Sequence, residues 1–230
     1  MRRIAVLCDF DGTVAREDVG HLLFSTFADE ALTGPVVERW KRGEISSREC
    51  LEHEASLAEV SPEELDRFIN RRKLDPYFKD FVDFARRRHI EVVIVSDGLD
   101  HYVEKMLIRS GLGELEYYAN ALHFNGEKLA VSFPYYDLRD CRDCGNCKTH
   151  HLERYKKAGY YTVYVGDGLS DRCPCTYSEL VFAKGDLLDF CKANDVDHVE
   201  FKNFRDVERE LVQRFVLNES LHEGEGVGGL

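Results

Sequence analysis

Four short, almost unbroken apolar runs punctuate an otherwise mixed chain: Ile4–Asp9 (IAVLCD), Glu91–Ser96 (EVVIVS), Thr162–Gly166 (TVYVG) and Leu180–Ala183 (LVFA). Successive strand residues point to opposite faces, so a run that is apolar at every position predicts a strand covered on both sides. Between the runs the spacing turns helical. Phe78–Ile90 places Phe78, Phe81, Val82 and Ala85 on one face, and Leu99–Leu112 does the same with Leu99, Val103, Met106 and Leu107, with Gly111 as its stop. Strands alternating with helices predict an α/β fold with a doubly wound parallel sheet.

Val14–Tyr77 breaks this rhythm. It has no strand-like run and several helical patterns: Val19, Leu22, Leu23 and Phe27 share a face, and Ser61-Pro62 followed by Glu64 reads as an N-cap, a first-turn proline and a capping box. The expected organisation is a core of residues 1–13 and 78–217 with a helical cap at 14–77. Tyr117–Tyr136 predicts a hairpin around Asn125-Gly126. Residues 218–230, glycine-rich and acidic, predict a disordered tail.

Composition narrows the function. The 230 residues are 43% hydrophobic and 32% charged, as in ordinary globular proteins, and no apolar stretch approaches a bilayer span. The apolar run after Arg2-Arg3 meets Asp9 at once, so no signal peptide and a cytoplasmic location are expected. A net charge of −12 argues against nucleic acid or an anionic membrane as partner, but not against a small anionic metabolite met by a local cation.

Candidate chemistry gathers at strand ends, where ligands of such sheets sit. Asp9 and Asp11 follow the first run, Ser96 the second, and Asp167 and Asp171 the third, while Lys148 opens a helical stretch. Carboxylates with room for water suit Mg²⁺; a lysine and backbone N–H groups suit phosphate. A carboxylate beside the metal can act as nucleophile, with an acid two residues on as proton carrier.

The ordered set DxDGT, a strand ending in Ser, a lone Lys and GDGxxD resembles the haloacid dehalogenase superfamily of phosphatases, across nearly the whole core. The resemblance implies an aspartyl-phosphate mechanism. Asp9 would be nucleophile and Asp11 acid/base. Asp9, Asp167 and the carbonyl of Asp11 would ligate Mg²⁺, and Asp171 would orient metal-bound waters or Lys148. Ser96, Asp97 and Lys148 would hold the phosphate. The inserted helices resemble the cap of phosphoserine-phosphatase-like members, which makes Asp18 a candidate specificity residue; Arg16 stands beside it near the hinge. "CRDCGNCK" and "GDGLSDRCP" resemble the group containing the methionine-salvage 2-hydroxy-3-keto-5-methylthiopentenyl-1-phosphate phosphatase and the phosphoethanolamine/phosphocholine phosphatases. Phosphoserine remains an alternative substrate, and a phosphotransferase an alternative activity.

The cysteines leave two readings open. Cys141, Cys144 and Cys147, with Cys173 or Cys175, could complete a tetrahedral Zn²⁺ clamp between the lysine loop and the Asp171 loop, or all could be reduced thiols. A zinc-stabilised binding module is the non-enzymatic alternative. His150, His151, Arg42 and Tyr77 are expected on solvated helix surfaces.

Overall fold

The computed structural model describes residues 2–139 and 143–216. β1 (Ile4–Cys8) runs into a tight turn, Phe10–Val14, and then four helices, α1 (Val19–Phe27), α2 (Glu30–Lys41), α3 (Ser47–Leu57) and α4 (Pro62–Ile69). The chain returns through α5 (Phe78–Arg87) to β2 (Glu91–Leu99), α6 (Asp100–Arg109), and the pair β3 (Glu116–Asn125) and β4 (Lys128–Ser132). Next come α7 (Lys148–Lys157), β5 (Tyr161–Gly166), the single turn α8 (Arg172–Cys175), β6 (Leu180–Ala183), α9 (Gly185–Ala193), β7 (Val199–Glu200) and α10 (Phe204–Leu211).

The strands form one sheet in the order β4-β3-β2-β1-β5-β6-β7, parallel except for the β3–β4 hairpin. The apolar runs are continuous because each strand serves two cores. Val6 and Cys8 of β1 join Ile94, Val163 and Phe182 under α5, α6 and α10, whereas Ala5 and Leu7 join Val93, Val95, Tyr164 and Val181 under α7 and α9. Each fully buried Val, Leu, Ile or Phe among them contributes about 1.5–3 kcal/mol. On the first face Phe204 packs on Phe78 and Phe81 with ring centroids 4.7 and 5.2 Å apart. The same core continues into the helices after β1, through Val19, Leu23, Leu65 and Ile69.

Three departures from the sequence pattern bear on the site. β2 does not end at Ser96 but continues to Leu99, with its pairing to β3 shifted between Val95 and Leu99. Such an irregularity re-aims side chains at a strand end, and Ser96, Asp97 and Gly98 lie within it. The hairpin turns at Asn125-Gly126 as expected, yet the first half of β3 also pairs in parallel with β2, which locks the hairpin to the core. The short β7 carries no apolar run of its own; its pairing with β6 defines it. The expected tail at 218–230 lies outside the described residues. Among the described residues, no helix is long and apolar enough to cross a membrane.

Candidate active site

The ends of β1 and β5 and the start of α7 converge on a buried charge cluster. Lys148 Nζ donates to Asp9 Oδ1 at 2.5 Å, Asp171 Oδ1 at 2.6 Å and Ser170 Oγ at 2.9 Å, and the lysine is only 1% exposed. Asp171 is locked more tightly still. Tyr164 OH donates to the same Oδ1 at 2.5 Å, and the amides of Asp167 and Gly168 donate to its Oδ2 at 2.9 Å each. With both oxygens so occupied, Asp171 holds the lysine and the loop rather than facing the cavity. Asp167 accepts from Thr13 Oγ1 at 2.5 Å. Gly12 must be glycine on two counts: its φ is +74°, and a Cβ there would stand 2.3 Å from Asp167 Oδ2.

Asp11 points the other way, toward the inserted helices. Its Oδ1 accepts from the amides of Val19 and Gly20, at 2.8 and 3.2 Å, at the N-terminus of α1, and Tyr102 OH of α6 donates to Oδ2 at 2.5 Å. One carboxylate thus ties the β1 turn, the first inserted helix and the core together, at the helix end where negative charge is favoured.

Within the irregular end of β2, Asp97 is a second anchor. It accepts from Ser47 Oγ at the start of α3 and from the Asn146 amide at 2.7 Å. Asn146 Nδ2 in turn donates to the carbonyls of Ser96 and Tyr118, at 2.8 and 2.9 Å. His151 meets Asn146 Oδ1 at 2.8 Å and stacks on Tyr118, with ring centroids 4.0 Å apart. The solvated helix start expected for His150 and His151 therefore fails for His151, which is buried because the loop before α7 folds its ring under β3.

A cavity of about 320 Å³ opens above this floor. Asp9, Asp11, Asp97 and Asp167 line its base; Asp18, Phe24, Trp40, Leu51 and Glu54, from the inserted helices and the α1 cap, line its wall. Asp18 N-caps α1, accepting from the His21 amide at 2.8 Å, and also reaches the cavity. Arg16 is exposed and is not part of the lining. Ser96 is fully buried behind the lining, its Oγ accepting from the Gly98 amide at 3.0 Å. Arg42 is exposed and paired with Glu44, as expected, and Tyr77 sits half-buried at the start of α5 under Arg205.

The electrostatics of the base call for a cation. Burial pushes Asp9 well above the usual carboxylate range; repulsion from Asp171 and Asp167 adds to this, against the pull of Lys148. Burial and Asp171 lift Asp167 to about 6. Burial and Asp18 lift Asp11 to about 7, despite its three donors. Lys148 is raised too, but against burial: burial alone would lower it, and Asp171 and Asp9 outweigh burial. Asp9, Asp167 and Asp171 each present an oxygen within 4.8 Å of the others, the one such cluster of potential ligands among the described residues. With both Asp171 oxygens taken by donors, Asp9 and Asp167 are the hard, mutually repelling oxygen donors of this cluster left facing the cavity, and they fit a divalent cation of the Mg²⁺ type.

Nothing supports the zinc clamp at the cysteines that the structure describes. Among the described residues, Cys144, Cys147, Cys173 and Cys175 do not bring three sulfurs within ligand range of one another. Cys173 accepts from Thr149 Oγ1, Cys175 donates to the Arg172 carbonyl, and burial holds the Cys175 thiol protonated. α8 winds Cys173 and Cys175 to different sides of one helical turn. Cys141 lies outside the described residues.

Residues 6–173 match the family of haloacid dehalogenase-like hydrolases. The chain belongs to that family. Among its curated relatives, 2-hydroxy-3-keto-5-methylthiopentenyl-1-phosphate phosphatase of Brevibacillus brevis is 29% identical, over 92% of this chain and 96% of the relative. The protein of the same name from Bacillus thuringiensis subsp. konkukian is 26% identical, over 90% and 95%. Among solved structures, a phosphoserine phosphatase captured as an analogue of its phospho-aspartyl intermediate superposes with a TM-score of 0.68 at 21% identity, covering 91% of this chain and 99% of that one. That likeness establishes the Rossmann-like hydrolase fold.

Some residues that build this site escaped the sequence reading. Tyr102, Tyr164, Asn146 and Ser47 act through contacts 7 to 91 positions away, which no local pattern encodes. Glu54 was the accessible one: an acid on the apolar side of a helix, among Cys50, Leu51 and Ala55.

Proposed function

We propose that the protein is a Mg²⁺-dependent phosphatase of a small phosphorylated metabolite, and that its substrate is the ester in its relatives' names, 2-hydroxy-3-keto-5-methylthiopentenyl-1-phosphate. The observation that carries the reading is the buried Asp9–Lys148–Asp171 chain at the cavity base, with Asp11 beside it. Lys148 aims the Asp9 carboxylate, and Asp171 aims Lys148. Asp9, Asp167 and the Asp11 carbonyl would hold Mg²⁺, which would supply charge neutralisation between nucleophile and phosphate.

Asp9 attacks phosphorus with a carboxylate oxygen. The bond from phosphorus to the ester oxygen breaks, and Asp11 gives its proton to the departing alcohol. Its lift to about 7 keeps a usable fraction protonated at neutral pH. Asp11, now a carboxylate, takes a proton from the water that attacks the aspartyl phosphate. Inorganic phosphate leaves and Asp9 is restored. Asp97 and Gly98, which line the cavity, receive the phosphate oxygens, and Lys148, whose three N–H groups go to Asp9, Asp171 and Ser170, lends its charge from behind Asp9. Residues 14–77 act as a cap that covers the cavity and excludes water.

Hydrolysis of p-nitrophenyl phosphate with Mg²⁺ tests this. Turnover should vanish in EDTA and return with Mg²⁺ but not Ca²⁺, whose longer bonds misplace the nucleophile. Asp9→Asn should cut kcat by about 10³-fold or more while the fold persists. Near-normal turnover in Asp9→Asn would exclude the mechanism.

A further inference from the structure

Glu54 is a carboxylic acid in an apolar setting. It is 7% exposed, on α3, and lines the cavity with Phe24, Val37, Trp40 and Leu51. Among the described residues its side chain meets no nitrogen or oxygen donor. Its one hydrogen-bonding contact is the Cys50 thiol, a weak donor one turn back, at 3.6 Å. Burying a carboxyl group without partners costs free energy, and a leucine would suit this helix face better. The acid is explained if its partner arrives with the ligand.

The cavity also lacks a counter-charge for an anion at this end. Lys41 is the one lysine or arginine of its lining; it is exposed and donates to Glu38 at 3.2 Å. Asp18 adds negative charge near Glu54, and together with burial it lifts the Glu54 carboxyl to about 7. A substrate carboxylate here would meet two acids and no free cation, an arrangement that rejects it.

Resting on the phosphatase reading, we propose that Glu54 is a specificity-determining residue of the cavity: it accepts a hydrogen bond from a hydroxyl or ammonium group on the organic part of the ester, in the proposed substrate its 2-hydroxyl, and excludes esters carrying a carboxylate there. The apolar wall of Phe24, Trp40 and Leu51 covers whatever uncharged chain lies alongside.

The test compares kcat/KM for four esters of similar size: propyl phosphate, 2,3-dihydroxypropyl phosphate, 3-aminopropyl phosphate and 2-carboxyethyl phosphate. The full-length protein should prefer at least one donor-bearing ester to propyl phosphate by about tenfold or more, and should disfavour the carboxylate. Which donor ester it prefers separates the hydroxyl from the ammonium. In Glu54→Leu the ratio of donor-bearing to propyl ester should fall by about 10- to 100-fold, the worth of a hydrogen bond to a charged group. Glu54→Gln, which keeps an acceptor oxygen, should lose less. A ratio is independent of how much of each variant folds. Glu54→Leu ratios within twofold of the parent's, or a parent that takes the carboxylate ester as readily as the donor esters, would overturn the assignment. A parent that hydrolyses none of the four esters, nor p-nitrophenyl phosphate, overturns the phosphatase reading itself, and the assignment with it.

Discussion

The base of the cavity and its wall are built on opposite principles. At the base every charged oxygen of Asp171 is taken, and Lys148 satisfies three partners at once. These groups come from strand ends and loops far apart in sequence, fixed by two cores on either side of the sheet. On the wall, by contrast, among the described residues Glu54 has one weak partner and the Asp18 carboxylate is bound only by its own helix. The wall side chains come from consecutive helices that share apolar packing and few hydrogen bonds. A phosphate is the same in every ester, so the base has one geometry to hold. The rest of the substrate differs between enzymes, and a wall of helices can exchange side chains without disturbing the base.

Breaking the base should have the largest effect. Lys148→Met removes the one cation between Asp9 and Asp171, leaving two buried carboxylates facing each other. Stability in urea should fall by about 3–5 kcal/mol, the usual result of orphaning a buried charge, and turnover should be lost with it. A Lys148→Met variant as stable as the parent would show that the base is not held together by this pair.

The His151 anchor behind the Asp97 turn should give an intermediate effect, visible as pH dependence. Burial, with help from His150 and Arg154, pulls the His151 imidazole down from 6.5 to about 3. Between those values the unfolded chain binds the extra proton, so the stability His151 contributes is complete above about pH 6.5 and declines as pH falls toward 3, by about 1.4 kcal/mol per unit. Asp11 and Glu54, both raised to about 7, work in the opposite sense. The difference between parent and His151→Gln isolates the histidine. That difference should shrink as urea melts move from pH 7 to pH 5; a constant difference would mean His151 is not buried neutral.

The wall should respond most mildly and most selectively. Asp18→Ala leaves the base intact but removes both the α1 cap and a cavity acid. Loss of the cap should cost about 1 kcal/mol of stability. If Asp18 also reads the substrate, KM should rise several-fold more for the native ester than for p-nitrophenyl phosphate. Equal rises for both would assign Asp18 to the helix cap alone and sharpen the contrast with Glu54.

What could be read in advance follows the range of the physics. The strands β1, β2, β5 and β6 were legible because a strand buried on both faces must be apolar throughout, and that constraint is written in consecutive residues. Asp9, Asp11 and Asp167 stood out as polar groups at the ends of such runs, and Lys148 as the opening of a helical stretch. The capping box at Ser61 was likewise local. Other features depended on residues distant in sequence. The shifted pairing that carries Ser96 to Gly98 exists only against β3. His151 looked like any exposed residue of a charged helix until the loop before it folded beneath Tyr118. The cysteines looked like a metal site by spacing, and three-dimensional placement sends those described to different partners. Glu54 shows in the sequence only as an acid on the apolar side of a helix. The closure of α1, α2 and α3 over the sheet turns it into the cavity, where among the described residues it meets no nitrogen or oxygen donor. The chain alone determined which residues prefer the interior and where charge interrupts them; the tertiary structure decided which charges meet, because burial and partnership are properties of neighbours in space.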